Sequence, residues 1–242
     1  MPSLPRLALP HRLYGRLEQT ARQWGIDAAD VLELHTTALL DPQTEDEERE
    51  LAQATEVISR YWEGDGVELS DLQKDVGHHD VAILRMGPVV TEAVHYGEEA
   101  EDPELPRTKF PLDQPRGGYS RRWMGMAVGD SPEEVWQAAR GYWRLKPNLN
   151  YLVPSRFGYA PYVFRVGEWI SFSSTKFYAG SGWLIDLDNR QRHRLLEPQQ
   201  GTHLSALGDP EAAEPADLEV AAAMADQLLR LGPRGTNPVI RL

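Results

Sequence analysis

The sequence predicts an α+β protein: a small helical N-terminal element followed by a compact, mostly antiparallel β-barrel-like domain with flanking helices. Three observations predict it. Apolar residues recur at helical spacing, between recognisable caps, through the first 64 positions. Short β-branched and aromatic runs bounded by Gly and Pro dominate the stretch from 118 to 196. An Ala/Leu-rich segment near the C-terminus again carries helix boundaries. With 242 residues, 41% of them apolar and 26% charged, the chain is long enough to bury a sizeable core. The expected divisions are 1–64, a helical element suited to dimerisation; 65–117, a strand and acidic-loop connection; and 118–242, the aromatic- and Arg-rich domain.

Taken in order, "RLALP" reads as a short strand closed by Pro10. Leu13, Leu17, Ala21 and Trp24 then recur at helical spacing until Gly25. Asp27 is the expected N-cap of a second helix with Val31, Leu32 and Leu39 inward. Thr44 and Glu47 form a T-x-x-E capping box that opens a third helix, with Leu51, Ala54, Ile58 and Trp62 on one face. "DVAILRMG" and "PVVTEAVHYG" read as strands, and the Pro-rich acidic stretch after them as an exposed loop. Ser131, Pro132 and Glu134 open a helix predicted to run through "EEVWQAARGYWRL". Four short strands are expected at 161–166, 168–173, 175–179 and 182–187, with "DLDNRQR" a turn. Asp217 caps a final helix that Gly232 and Pro233 terminate.

Composition excludes several chemistries. Without cysteine there is no disulfide framework, thiolate metal site or Cys nucleophile. The first residues lack the apolar core of a signal peptide, and no run approaches the ~18 apolar residues of a membrane span. A cytoplasmic protein with no membrane partner is therefore expected. The net charge of −12 is unevenly distributed. Residues 41–117 carry 7 basic and 20 acidic side chains, whereas 118–196 carry 11 and 6. An acidic middle thus precedes a basic segment.

That basic segment also holds 15 of the 21 aromatic residues. Rings can stack on unpaired bases while Arg and Lys neutralise phosphate, each stacked base contributing roughly 1–3 kcal/mol. The more economical reading is a barrel core filled by aromatics with a basic solvent face. In "EEVWQAARGYWRL", Val135, Trp136, Ala139 and Trp143 would share one helical face, and Arg140 and Arg144, four apart, a neighbouring one. Arginine is favoured over lysine where planar contact with phosphate or carboxylate matters. The candidate nucleic-acid-binding residues are Arg121, Arg122, Arg140, Tyr142, Arg144, Arg156, Tyr159 and Tyr162. Arg140, Arg144 and Arg156 would hold phosphate; Tyr142, Tyr159 and Tyr162 would stack.

Catalytic signals are sparse. No Walker loop, GxGxxG, GxSxG or HExxH occurs. "GHHD" offers His78, His79 and Asp80, but neighbours on a strand point to opposite faces, so both histidines are not expected to serve one metal. Asp186 and Asp188 could hold Mg²⁺ on a strand, although "DLDNR" reads more economically as a hairpin turn. No catalytic residue, metal or cofactor is assigned.

Two resemblances add to this reading. "LALP", Leu13, Arg16, Leu17, Ala21, Gly25, Val31, Leu32, Leu39 and Leu40 resemble the ribbon-helix-helix family. The resemblance implies a dimer whose paired strands enter DNA, with Arg6 the only charged residue on the strand. Residues 125–242 resemble an uncharacterised bacterial domain found near defence genes, through 131–134, Arg140, Gly141, Trp143, "VFRVGEW", "KFYAGSGW", Asn237, Pro238 and Val239. That resemblance implies a compact barrel of the PUA-like group, which includes readers of modified bases and RNA. The function expected is non-enzymatic recognition of DNA or RNA, through a modified or unpaired base in a defence or regulatory setting. The alternative is an acidic interaction protein that forms a homodimer or engages a basic protein partner. A Mg²⁺-dependent hydrolase comes third.

Overall fold

The structure is a computed structural model and describes residues 9–91, 123–141, 143–171, 174–196, 205–232 and 238–242. The N-terminal third is helical, as the caps predict. Helix α1 (His11–Trp24) ends at Gly25, whose φ of 70° is the left-handed conformation that glycine adopts without penalty. Helix α2 (Ala28–Thr37) starts after Asp27. Helix α3 (Glu45–Glu63) opens on Thr44, whose hydroxyl accepts the Glu47 N–H at 3.2 Å. The strand expected before Pro10 lies largely outside the described residues.

The buried stripe of α3 is offset by one position from the expected face. Ala54, Val57 and Tyr61 point inward, at i, i+3 and i+7, while Trp62 is 57% exposed. Tyr61 wins the interior because it stacks on Trp24, with ring centroids 4.6 Å apart, and donates to the Phe157 carbonyl at 2.6 Å. Trp62 only laps the edge of Trp24. On α2 the inward residues are Val31 and Leu34; Leu39 falls beyond the helix end and is 84% exposed.

Beyond α3 come β1 (Val67–Glu68), α4 (Leu69–Val76), a 3₁₀ turn (Gly77–His79), β2 (Val81–Arg85), β3 (Val90–Thr91) and β4 (Trp123–Met124). Next are α5 (Pro132–Ala139), β5 (Trp143–Arg144), β6 (Tyr151–Ser155), β7 (Tyr159–Ala160), β8 (Phe164–Ser171) and β9 (Lys176–Asp186). The chain finishes with β10 (Gln191–Leu196), β11 (Ala206–Ala212), α6 (Pro215–Met224), β12 (Gln227–Arg230) and β13 (Val239–Arg241). One sheet of eight strands dominates, in the order β11-β10-β9-β8-β6-β2-β13, with β5 also paired to β9. A smaller sheet has the order β1-β12-β7, and β3 pairs with β4.

The α+β class holds, but among the described residues there is no closed barrel: the end strands β11 and β13 do not pair with each other. The reason lies at the centre of the sheet, where β2 and β6 run parallel and are apolar on both faces. Ala82, Leu84 and Leu152 pack on one side with Val135, Trp136 and Ala139 of α5. Val81, Ile83, Tyr151 and Val153 pack on the other, with α4 and α6 through Leu72, Val76, Val220 and Met224. A sheet covered by helices on both faces has no single interior face to close around.

Three further expectations are corrected. The four short strands of 161–187 are two long ones, β8 and β9, paired antiparallel. Their glycines are not breaks. A Cβ on Gly182 would lie 2.4 Å from the Trp136 indole, and one on Gly167 2.6 Å from Trp183, so these positions admit rings rather than turns. The last helix starts at Pro215, after Glu214 rather than Asp217, and stops at Met224; "QLLR" becomes strand β12. Finally, α5 keeps its capping box of Ser131 and Glu134 but ends at Ala139, not after Trp143. No helix among the described residues is long and apolar enough to cross a membrane.

Candidate functional site

The early end of α5 separates the two arginines expected to act together. Arg140 is the C-cap residue, 2% exposed, and turns back under β9. Its Nε donates to the Ala179 carbonyl at 3.1 Å and its Nη2 to the Gly180 carbonyl at 3.2 Å, with Trp136 beneath the guanidinium. The Ala179 N–H donates in return to the Arg140 carbonyl at 2.6 Å. Arg140 thus fastens helix to sheet. Arg144 lies on β5 instead, exposed to solvent.

Arg156 is also interior, at 1% exposure. Its guanidinium pairs with Asp30 at 3.2 Å and with Glu33, both on α2, and lies 3.9 Å from the centre of the Phe157 ring. Tyr159 is buried and donates to Asp226 at 2.9 Å; burial, then that carboxylate, pushes its pKa up. The Tyr162 hydroxyl donates to the Asp130 carbonyl at 3.1 Å, and burial raises its pKa to about 12. Arg121, Arg122 and Tyr142 lie outside the described residues. The structure therefore does not bring Arg140, Arg156, Tyr159 and Tyr162 together on one accessible face. Each is committed to a different internal contact.

Other cations of the basic segment are also engaged. Arg165 pairs with Glu214 at 2.6 Å and with buried Asp217 at 3.0 Å. Arg192 reaches Glu211, Glu214 and Asp217. Hydrogen bonds from these two arginines hold the Glu214 carboxyl below its ordinary pKa. Tyr151 donates to Asp217 at 2.9 Å, and burial, then that bond, raises the pKa of its hydroxyl. Among the described residues, much of the segment's positive charge is thus answered by α2 and by residues 211–217.

Among the described residues of the basic segment, one open feature is a shallow groove of about 450 Å³ lined by Arg144, Lys146, Ser174, Thr175, Phe177 and Arg241, with Leu145 and Pro147 completing its walls. The β5–β9 ladder builds it by placing Arg144 opposite Lys176 and Trp143 opposite Phe177. Strand β13 delivers Arg241 from the far end of the chain, where its guanidinium donates to Asn148 at 3.2 Å. No lining residue is acidic, and all three cations are exposed. Arg144 and Lys146 make no ion pair with a described carboxylate. Two hydroxyls, an aromatic edge and three cations can bind a polyanion, and no carboxylate or imidazole in the lining offers a general base.

Arg241 is the contributor that sequence reasoning missed. Nothing in its spacing announces it, since it stands almost a hundred positions from Arg144 and reaches the groove only through sheet pairing. The Asp186 carboxylate accepts the side-chain and backbone N–H groups of Asn189 at 2.8 and 3.0 Å. It closes the β9–β10 turn, as the sequence reading preferred, and those bonds lower its pKa. Comparison with known proteins adds no relative: neither a family model, nor a curated protein, nor a solved structure matches this chain.

Proposed function

We propose that the chain is a non-enzymatic recognition module that binds the phosphate backbone of nucleic acid along the groove of Arg144, Lys146 and Arg241. The observation that supports this reading is the groove itself: three exposed cations and an aromatic edge with no carboxylate among them. In a chain of net charge −12, three exposed cations gathered in one groove without a carboxylate form a local positive patch that a polyanion can use. Phe177 provides a half-buried ring against which an unpaired base could lie, which favours single strands over duplex.

The test is titration of the full chain with short single- and double-stranded DNA and RNA, followed by Trp fluorescence at several salt concentrations; Trp143, beside Arg144, is the expected reporter. Each phosphate contact contributes a slope of about −0.7 in log K against log salt for single strands, so three contacts give roughly −2. Replacing Arg144, Lys146 and Arg241 together by Ala should abolish that slope. Salt-dependent binding that survives the triple replacement, or no binding at low salt, overturns the reading.

A second reading has its own observation. Leu39 is 84% exposed, Leu40 62%, Tyr14 48% and Leu13 45%, all on the N-terminal helices or just after them. These side chains favour self-association through the helical element, with α3 presenting Glu45, Asp46, Glu47 and Glu48 to a basic partner. Light scattering on the same samples separates the two: a mass of twice 27.3 kDa without salt-sensitive binding to any oligonucleotide supports the second.

A further inference from the structure

We propose that His78, His79 and Glu219 form a binding site for a divalent transition cation of the zinc class. On a strand, the two adjacent histidines would have diverged. They instead occupy the 3₁₀ turn Gly77–His79, where their rings lie 3.9 Å apart and 40° from parallel. Both present Nε2 to a single carboxylate on α6, His78 to Oε1 at 3.6 Å and His79 to Oε2 at 3.1 Å. One donor atom from each of the three residues lies within 4.8 Å of the others.

The geometry suits an ion better than a shared proton. The Nε2 atom of His79 is buried and forms no hydrogen bond among the described residues, although the Glu219 carboxylate is 3.1 Å away. The oxygen sits off the direction a ring N–H would take, so the contact lacks the alignment of a hydrogen bond. In a tetrahedral zinc site with metal–ligand distances of about 2.0–2.1 Å, neighbouring donors are about 3.3 Å apart. His79 Nε2 lies 3.1 Å from Oε2, close to that edge, while His78 Nε2 reaches the other oxygen, Oε1, at 3.6 Å; with the three donors within 4.8 Å of one another, the side chains draw inward by a small rotation to close around an ion. Two imidazoles and one carboxylate favour Zn²⁺ and its neighbours over Ca²⁺ or Mg²⁺, which prefer oxygen donors alone. Three protein donors leave a fourth position for water or an incoming ligand.

The turn is held independently of any ion. Asn150 donates through its side chain to the His79 carbonyl at 3.3 Å and through its backbone to the Asp80 carbonyl at 2.9 Å. Asp80 adopts φ 55° to reverse the chain into β2. On the facing side, α6 is fixed by Asp217, which is fully buried and bonded to Tyr151, Arg165 and Arg192. Glu219 itself stays half exposed, as does His78, so an ion can enter from solvent while His79 forms the floor. The site does not depend on the nucleic-acid reading.

The experiment is calorimetric titration of Zn²⁺ into the untagged full chain, repeated with Co²⁺ by visible absorption. One ion per chain is expected, with the visible bands of low-symmetry Co²⁺. His79→Ala and Glu219→Gln should each weaken binding by about tenfold or more. His193→Ala, which removes an imidazole placed 3.8 Å from Asp186 on another strand, should leave it unchanged. Circular dichroism checks the fold; if His79→Ala disrupts it, Glu219→Gln, at a half-exposed position, decides alone. No Zn²⁺ binding by the unaltered chain, or binding that Glu219→Gln leaves intact, overturns the proposal.

Discussion

Arg156 shows why arginine is an ambiguous residue. The planar fork that suits a phosphate suits a buried carboxylate equally well. In this chain the fork of Arg156 is filled by Asp30 and Glu33, and that of Arg140 by two carbonyls of β9. Removing one partner of such a pair leaves a charge uncompensated in the interior. Arg156→Met should therefore cost about 3–5 kcal/mol, because Asp30 is only 7% exposed. Urea denaturation would show it as a lower midpoint. Adding Asp30→Asn to Arg156→Met should restore part of the loss; a single variant as stable as the original would mean that the pair contributes nothing.

Among the elements, β8 and β9 show how a glycine can be misread as a boundary. Gly182 sits mid-strand because the Trp136 indole of α5 and the Arg165 carbonyl of β8 occupy the space of its missing side chain, 2.4 and 2.7 Å from where a Cβ would stand. Gly180 differs: a Cβ there would meet Ile170 Cδ1, the end of a flexible side chain, at 2.5 Å. Gly182→Ala should thus destabilise by about 1–3 kcal/mol through overpacking, and Gly180→Ala by clearly less. Thermal melts of the two variants give the comparison. Equal losses would show that strand propensity, not the Trp136 contact, governs both positions. Beside the same ring, Arg140 caps α5 with its side chain bonded to the Ala179 and Gly180 carbonyls of β9.

Across the whole molecule, the N-terminal helices and the sheet share a core. Trp24, Val31, Leu34, Val57 and Tyr61 pack with Phe157, Tyr159 and Leu228. Gly158, at φ 81°, lets the Tyr61 hydroxyl approach to where a Cβ would meet it at 2.3 Å. Deleting residues 1–64 would uncover those apolar side chains and strip Arg156 of both carboxylates. The fragment 65–242 should therefore lose cooperative unfolding and bind a hydrophobic dye. A fragment that melts as sharply as the full chain, at the same temperature, would show that the sheet stands alone.

Local features were legible in the chain alone. The T-x-x-E and Ser-Pro-Glu-Glu starts, the glycine stop at Gly25, and the Asp186 turn all depend on atoms within four residues of one another, so chain chemistry fixes them wherever the segment lies. Tertiary packing decided which arginines are interior, which face of α3 is buried, and where α5 and α6 stop. It also decided that Arg241 joins Arg144 and Lys146, and that two histidines meet Glu219. Each of these depends on what another part of the chain places alongside. Pairing across the sheet joins residues far apart in sequence, and no periodicity along the chain encodes that distance.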